Sequence, residues 1–152
     1  MTPASIRSQV VIERVAWVRR MLDGLRALPL DQPDVFVDDL RNPAAAESFL
    51  RRALEGLMDL GRHVIAKGFG EGVIEYKAMA HRLHQHGVLS SQGAALLTEM
   101  AGYRNRLTHM YGEVTHEELR HIGLNELTDI EKVVDEILAW LRANPDRLDQ
   151  AL

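Results

Sequence analysis

The chain has 152 residues, 46% hydrophobic and 26% charged, with a formal net charge of −4. That is the composition of one globular domain, spanning residues 1–152 around a single core. It argues against a general electrostatic grip on nucleic acid, which calls for a basic stripe, but leaves room for a small local basic site.

No apolar run is long enough to span a membrane. The N-terminal stretch carries charge inside its apolar pattern, so a secretory signal is not expected. The absence of cysteine excludes a disulfide framework and a thiolate site, and makes the cytoplasm the default residence.

Apolar residues at Ile6, Val10, Val11, Val15, Val18, Leu22 and Leu25 predict a first helix over 6–28. "LPLDQPD" ends it with two prolines, and a short helical piece, "DVFVDDL", follows. A break or kink is expected at "RNP", because a residue before proline avoids the α region. Phe49, Leu50, Leu54, Leu57, Leu60, Val64 and Ile65 predict a long helix over 44–67, and "GFGEG" predicts a loop. A shorter helix is predicted over 76–87, with Met79 and Leu83 facing inward.

"LSSQG" supplies a cap for the next helix, predicted over 92–111, with Gly112 at the usual place of a C-terminal glycine. "THEE" reads as a capping box, Thr115 with Glu118 three residues on, opening a short helix that ends near Gly123. A last amphipathic helix is predicted up to about Ala143, and "NPDRLDQAL" reads as a polar tail. With no strand pattern and no repeat, the predicted fold is an all-α bundle of four or five main helices.

The helix over 92–111 carries the densest chemistry, "YRNRLTHMY". Leu96, Leu97, Met100, Tyr103, Leu107 and Met110 form its core stripe, with Arg104 and Tyr111 in line at the margin. Ala94, Thr98, Ala101, Gly102, Asn105 and His109 fall on the far side. Small residues let another backbone approach closely. That face meets either its own copy across a twofold axis, making a composite cleft, or another helix of the same chain.

A histidine serves as acid or base near neutral pH, an arginine holds phosphate through paired hydrogen bonds, and Asn105 can fix the His109 ring or bind substrate. Arg106 is open to two readings, a substrate contact or a solvated cation.

"RNRLTHMY" resembles the R-x4-H-x-Y motif of HepT-like toxins in the HEPN superfamily, with Arg104, His109 and Tyr111 in its three positions. Chain length, helix order, the "YGEV" stretch and the final amphipathic helix agree with it, so the resemblance covers most of the chain. It implies a HEPN-type homodimer whose paired motifs line a cleft. It also implies a metal-independent endoribonuclease acting on RNA through Arg104 and His109. Asn105 matches the polar residue that commonly follows the motif arginine. The implied partner is an MntA-like nucleotidyltransferase antitoxin that silences the toxin by adding AMP to Tyr111. The alternative is a non-catalytic HEPN module that binds a nucleotide or a nucleotidyltransferase partner.

Other residues carry blander readings. His81, His84 and His86 have no acidic or cysteine ligand placed beside them, and histidines near a helix C-terminus favour its dipole. "GFGEG" lacks the lysine and strand-to-helix context of a phosphate loop. Trp17 and Trp140 read as packing or dimer contacts. No metal, cofactor or membrane contact is expected.

Overall fold

A computed structural model describes residues 5–72 and 75–152, without the side chain of Tyr111. The described residues form seven α-helices: α1 (Ser8–Arg26), α2 (Pro33–Asp38), α3 (Arg41–Phe69), α4 (Tyr76–Gln85), α5 (Ser91–His109), α6 (His116–Asn125) and α7 (Leu127–Ala143). They include no named strand. No helix among them is long and apolar enough to cross a membrane.

The 29-residue α3 is the centre of the bundle and packs against each of the other six helices. Its buried residues, among them Leu50, Leu54, Leu57, Leu60, Val64 and Ile65, recur at helical spacing. The partner stripes are Val11, Val15, Val18, Leu22 and Leu25 on α1, and Ile130, Val133, Val134, Ile137 and Leu141 on α7.

Close approach fixes the antiparallel pairing of α1 with α3. A Cβ at Gly24 would lie 2.6 Å from the Phe49 ring, and one at Gly56 would lie 2.8 Å from Trp17. Positions on α1 therefore rise as those on α3 fall, and these glycines leave room for the Phe49 and Trp17 rings between the two helices.

Three boundaries differ from expectation. The chain is already helical at Arg41, and Pro43 sits inside the first turn of α3. A first-turn N–H has no intrahelical acceptor, so proline costs little there, and the Asp39 carboxylate accepts from the Arg41 N–H at 3.0 Å. Helix α5 stops at His109, and Gly112 lies in a 3-10 turn, Tyr111–Glu113. The left-handed glycines are instead Gly70, which closes α3, and Gly87.

The C-terminal segment is no loose tail. Ile6 lies opposite Leu148, donating its N–H to the Arg147 carbonyl at 2.8 Å and accepting from the Asp149 N–H at 3.0 Å. The Asp149 carboxylate accepts from the Ser8 N–H at 2.9 Å. Arg7, which precedes α1, offers no side-chain cap, so a residue 141 positions away satisfies an orphan donor of the first turn. The Ser8 hydrogen bonds hold the Asp149 carboxyl below its ordinary pKa.

The Arg7 N–H donates to His63 Nε2 on α3 at 3.0 Å, which requires a neutral ring nitrogen. Burial, then the nearby charges of Lys67, Arg7 and Arg14, lower the His63 pKa. The unfolded chain takes this proton near the ordinary value of about 6.5, while the folded chain resists it to lower pH. Below about pH 6.5 the unfolded state therefore binds more protons, and stability falls. The urea midpoint should drop between about pH 7.5 and about pH 5.5, and His63→Gln should flatten that drop. An unchanged slope in the variant would remove His63 from the account.

Candidate active site

Ser90 starts α5 by accepting the Gly93 N–H on its hydroxyl at 3.0 Å, while the Glu136 carboxylate of α7 accepts the Ser90 N–H at 2.9 Å. With its N-terminus held, α5 carries the motif residues to its far end.

Arg104 is only 21% exposed. Its guanidinium lies over the Tyr76 ring of α4 at 5.0 Å from the centroid, and its Nε is 3.7 Å from Glu55 Oε1 on α3. Nη1 donates to the Asn105 amide oxygen at 3.3 Å. Asn105 is thus turned toward Arg104. The buried Arg104 Nε makes no hydrogen bond among the described residues.

These groups line an open cleft of about 560 Å³, together with Arg62 of α3 and Glu75, Tyr76 and Lys77 at the start of α4. Arg62 stands on the same Tyr76 ring at 4.8 Å. Sequence reasoning missed Arg62, Tyr76 and Lys77. Arg62 precedes Arg104 by 42 positions on another helix, and no local spacing connects them.

His109, the last residue of α5, is exposed and does not line this cleft. Five residues of α-helix separate it from Arg104, an angular difference of about 140° around the axis. Tyr111 follows in the 3-10 turn, and its side chain lies outside the described part of the structure.

Arg106 is engaged elsewhere. Its two terminal nitrogens meet the two Glu118 oxygens of α6 at 2.5 and 3.1 Å, and the guanidinium lies 5.6 Å from the Tyr103 ring centre. Half of the expected capping box forms, since Thr115 accepts the Glu118 N–H at 3.1 Å. The Glu118 side chain goes to Arg106, a paired ionic contact that ties α5 to α6.

The far side of α5 is divided. Ala101 is fully buried within the chain, as a small residue in a helix seam allows. Thr98 and His109 are exposed, Gly102 and Asn105 are partly exposed, and a Cβ added at Gly102 would meet nothing within 4 Å among the described residues. These four positions are spaced four, three and four apart, which makes one uncovered stripe. Met110, expected in the core stripe, is 45% exposed because the helix has ended before it.

The remaining histidines have local partners or stand at the surface. His84 Nδ1 lies 3.0 Å from the Leu89 carbonyl oxygen, and His86 Nε2 lies 2.8 Å from Glu71 with its ring stacked on Phe69. No group of three or more metal-ligating side chains occurs among the described residues. The Trp17 N–H donates to the Arg52 carbonyl at 3.3 Å, and Trp140 packs near Phe69. A separate small crevice is lined by Leu50, Leu54, Tyr103, Ile122, Glu99 and Glu126. Burial, then Glu99, raises the Glu126 pKa there, and a crevice whose charged groups are carboxylates does not suit phosphate.

The family model of ribonuclease HepT-like proteins matches residues 18–137. The chain belongs to that family, within the HEPN superfamily. Among solved structures it is similar to a tri-AMPylated HEPN toxin of Shewanella oneidensis in complex with an MNT antitoxin. That match has 20% identity and a TM-score of 0.76, covering 87% of this chain and 98% of the other. It is also similar to a toxin–antitoxin chain crystallised with AMP-PNP, at 19% identity and a TM-score of 0.75, covering 86% of this chain and 98% of the other. At such identities the likeness establishes the fold. No curated protein sequence matches.

Proposed function

We propose that this chain is the toxin of a toxin–antitoxin pair and acts as a metal-independent endoribonuclease at the cleft of a homodimer. The observation that carries the reading is the pairing of Arg104 and Asn105 in a cationic cleft, with His109 exposed on another side of the same helix end. Among the described residues, His109 does not line the cleft that holds Arg104. A second copy laid along Thr98, Gly102, Asn105 and His109 would make the composite cleft.

In that cleft the RNA 2′-hydroxyl attacks the adjacent phosphorus. One His109 accepts the hydroxyl proton as the P–O2′ bond forms. The partner copy's histidine donates a proton to the departing 5′-oxygen as the P–O5′ bond breaks. The products are a 2′,3′-cyclic phosphate and a 5′-hydroxyl. Arg104 meets the negative charge that grows on the equatorial oxygens, and Asn105 holds Arg104 in place.

The likeness to toxin structures in complex with antitoxins supports a nucleotidyltransferase partner that transfers AMP to Tyr111. A nucleotide with its phosphate charge, attached two residues after His109, would compete with RNA for the cations of the cleft. Co-expression with such an enzyme should add the mass of one or more AMP groups to the wild type and silence it. Tyr111→Phe should gain none and stay toxic. AMP found on the Tyr111→Phe chain would contradict this assignment.

A further inference from the structure

The chemistry proposed for Arg104 uses one of three cations in its cleft. Arg62 and Lys77 line the same space and are left without a role. Tyr76 fixes their arrangement, since Arg62 and Arg104 lie 4.8 and 5.0 Å from one ring centroid, and Lys77 follows Tyr76 in the first turn of α4. Arg guanidinium groups favour an aromatic face, so one ring holds both cations beside the same cleft.

Neither Arg62 nor Lys77 has a carboxylate within ion-pair distance among the described residues, although Glu75 lines the cleft. Arg62 Nε is buried and makes no hydrogen bond there, as is true of Arg104 Nε. With Nε buried, the terminal nitrogens of Arg62, which make no hydrogen bond among the described residues, are the donors left for an anion in the cleft. Arg104 already has the Glu55 carboxylate 3.7 Å from its Nε, so it is Arg62 and Lys77 that leave the cleft able to take a further negative charge.

We infer that Arg62 and Lys77 seat the phosphodiester next to the one held by Arg104, so that the cleft is a two-phosphate track for an RNA strand. This rests on the ribonuclease reading above and names how the strand is gripped. Arg62 and Lys77 bind the backbone without reading a base, because their donors face the cleft shared with the phosphate-holding arginine.

The test is binding of a fluorescein-labelled 2′-O-methyl oligonucleotide, which keeps its phosphates and lacks the attacking hydroxyl. Anisotropy is followed across a salt series for the wild type, Lys77→Ala, Arg62→Ala, Arg62→Lys and the double alanine variant. Each single alanine variant should weaken binding by roughly tenfold. The double variant should lower the slope of log affinity against log salt by about 0.7, the value for one neutralised phosphate of a single strand. Arg62→Lys should keep the slope. Lys77 is exposed, so its loss leaves the fold intact, and circular dichroism checks the Arg62 variants.

An unchanged affinity and slope in the double variant would overturn the inference, as would a wild type that binds no oligonucleotide. Displacement of the oligonucleotide by micromolar AMP would also overturn it, by making the cleft a site for one nucleotide. If the slope falls as expected while unmodified RNA is never cut, the second phosphate seat stands and the ribonuclease reading is what fails.

Discussion

Replacing Gly102 by arginine is expected to leave a folded chain that no longer dimerises and no longer cuts RNA. Gly102 lies in the interior of α5, where glycine costs about 1 kcal/mol relative to alanine. A Cβ there meets nothing among the described residues, so any ordinary side chain should preserve or improve the fold of the isolated chain. In the proposed dimer the same position is where the second backbone approaches. Each copy then carries a clash of about 1–3 kcal/mol, and twofold symmetry doubles it, weakening association by roughly 30- to 10⁴-fold. Light scattering should report half the wild-type mass, with an unchanged or higher melting temperature. A Gly102→Arg dimer with full activity would place the partner surface elsewhere.

The second large effect is on the chemistry. His109→Ala should reduce cleavage by a factor of about 10²–10⁴, the contribution of a positioned acid or base. His109 is exposed at the end of α5, so this change should move stability by no more than about 0.5 kcal/mol. Arg104→Ala should cost about 10²–10³ in rate, as for the loss of a donor aimed at developing charge.

Arg104→Lys should recover little. A lysine lacks the planar fork and does not reproduce the stack on Tyr76 together with the bond to Asn105. Combining Arg104→Ala with His109→Ala should cost about as much as the worse single change, because the residues act as a unit. Single-turnover rates on one oligonucleotide measure all four, and wild-type rates in either alanine variant would remove that residue from the mechanism.

The helices of this fold were legible because their apolar spacing is long and regular. Val11 to Leu25 on α1, Leu50 to Ile65 on α3 and Ile130 to Leu141 on α7 are the stripes that meet in the core. What pattern missed was set by contacts between distant segments. Pro43 looks like a break until its place in a first turn removes the penalty. Glu118 looks like half of a capping box until Arg106 of α5 arrives beside it. The last nine residues look like a tail until Asp149 meets the start of α1.

The same limit applies to the site. Arg104, Asn105 and His109 lie within one helix and announce themselves by spacing. Arg62, Tyr76 and Lys77 come from two other elements, and nothing in the local sequence states how α3 and α4 register against α5. Ala101 and Gly102 are adjacent small residues with different fates, one fully buried and one partly exposed with room for a side chain. Only the packed structure separates them.

The most direct test of the central claim is incubation of purified, unmodified protein with RNA in excess EDTA, followed by analysis of the new ends. Tyr111 is checked by mass spectrometry so that an AMP-bearing sample is not mistaken for an inactive one. Cleavage by the wild type, leaving 2′,3′-cyclic phosphate and 5′-hydroxyl ends and absent from His109→Ala, is the predicted result. Cleavage that stops in EDTA, or no cleavage of any RNA by chains free of AMP, would contradict it.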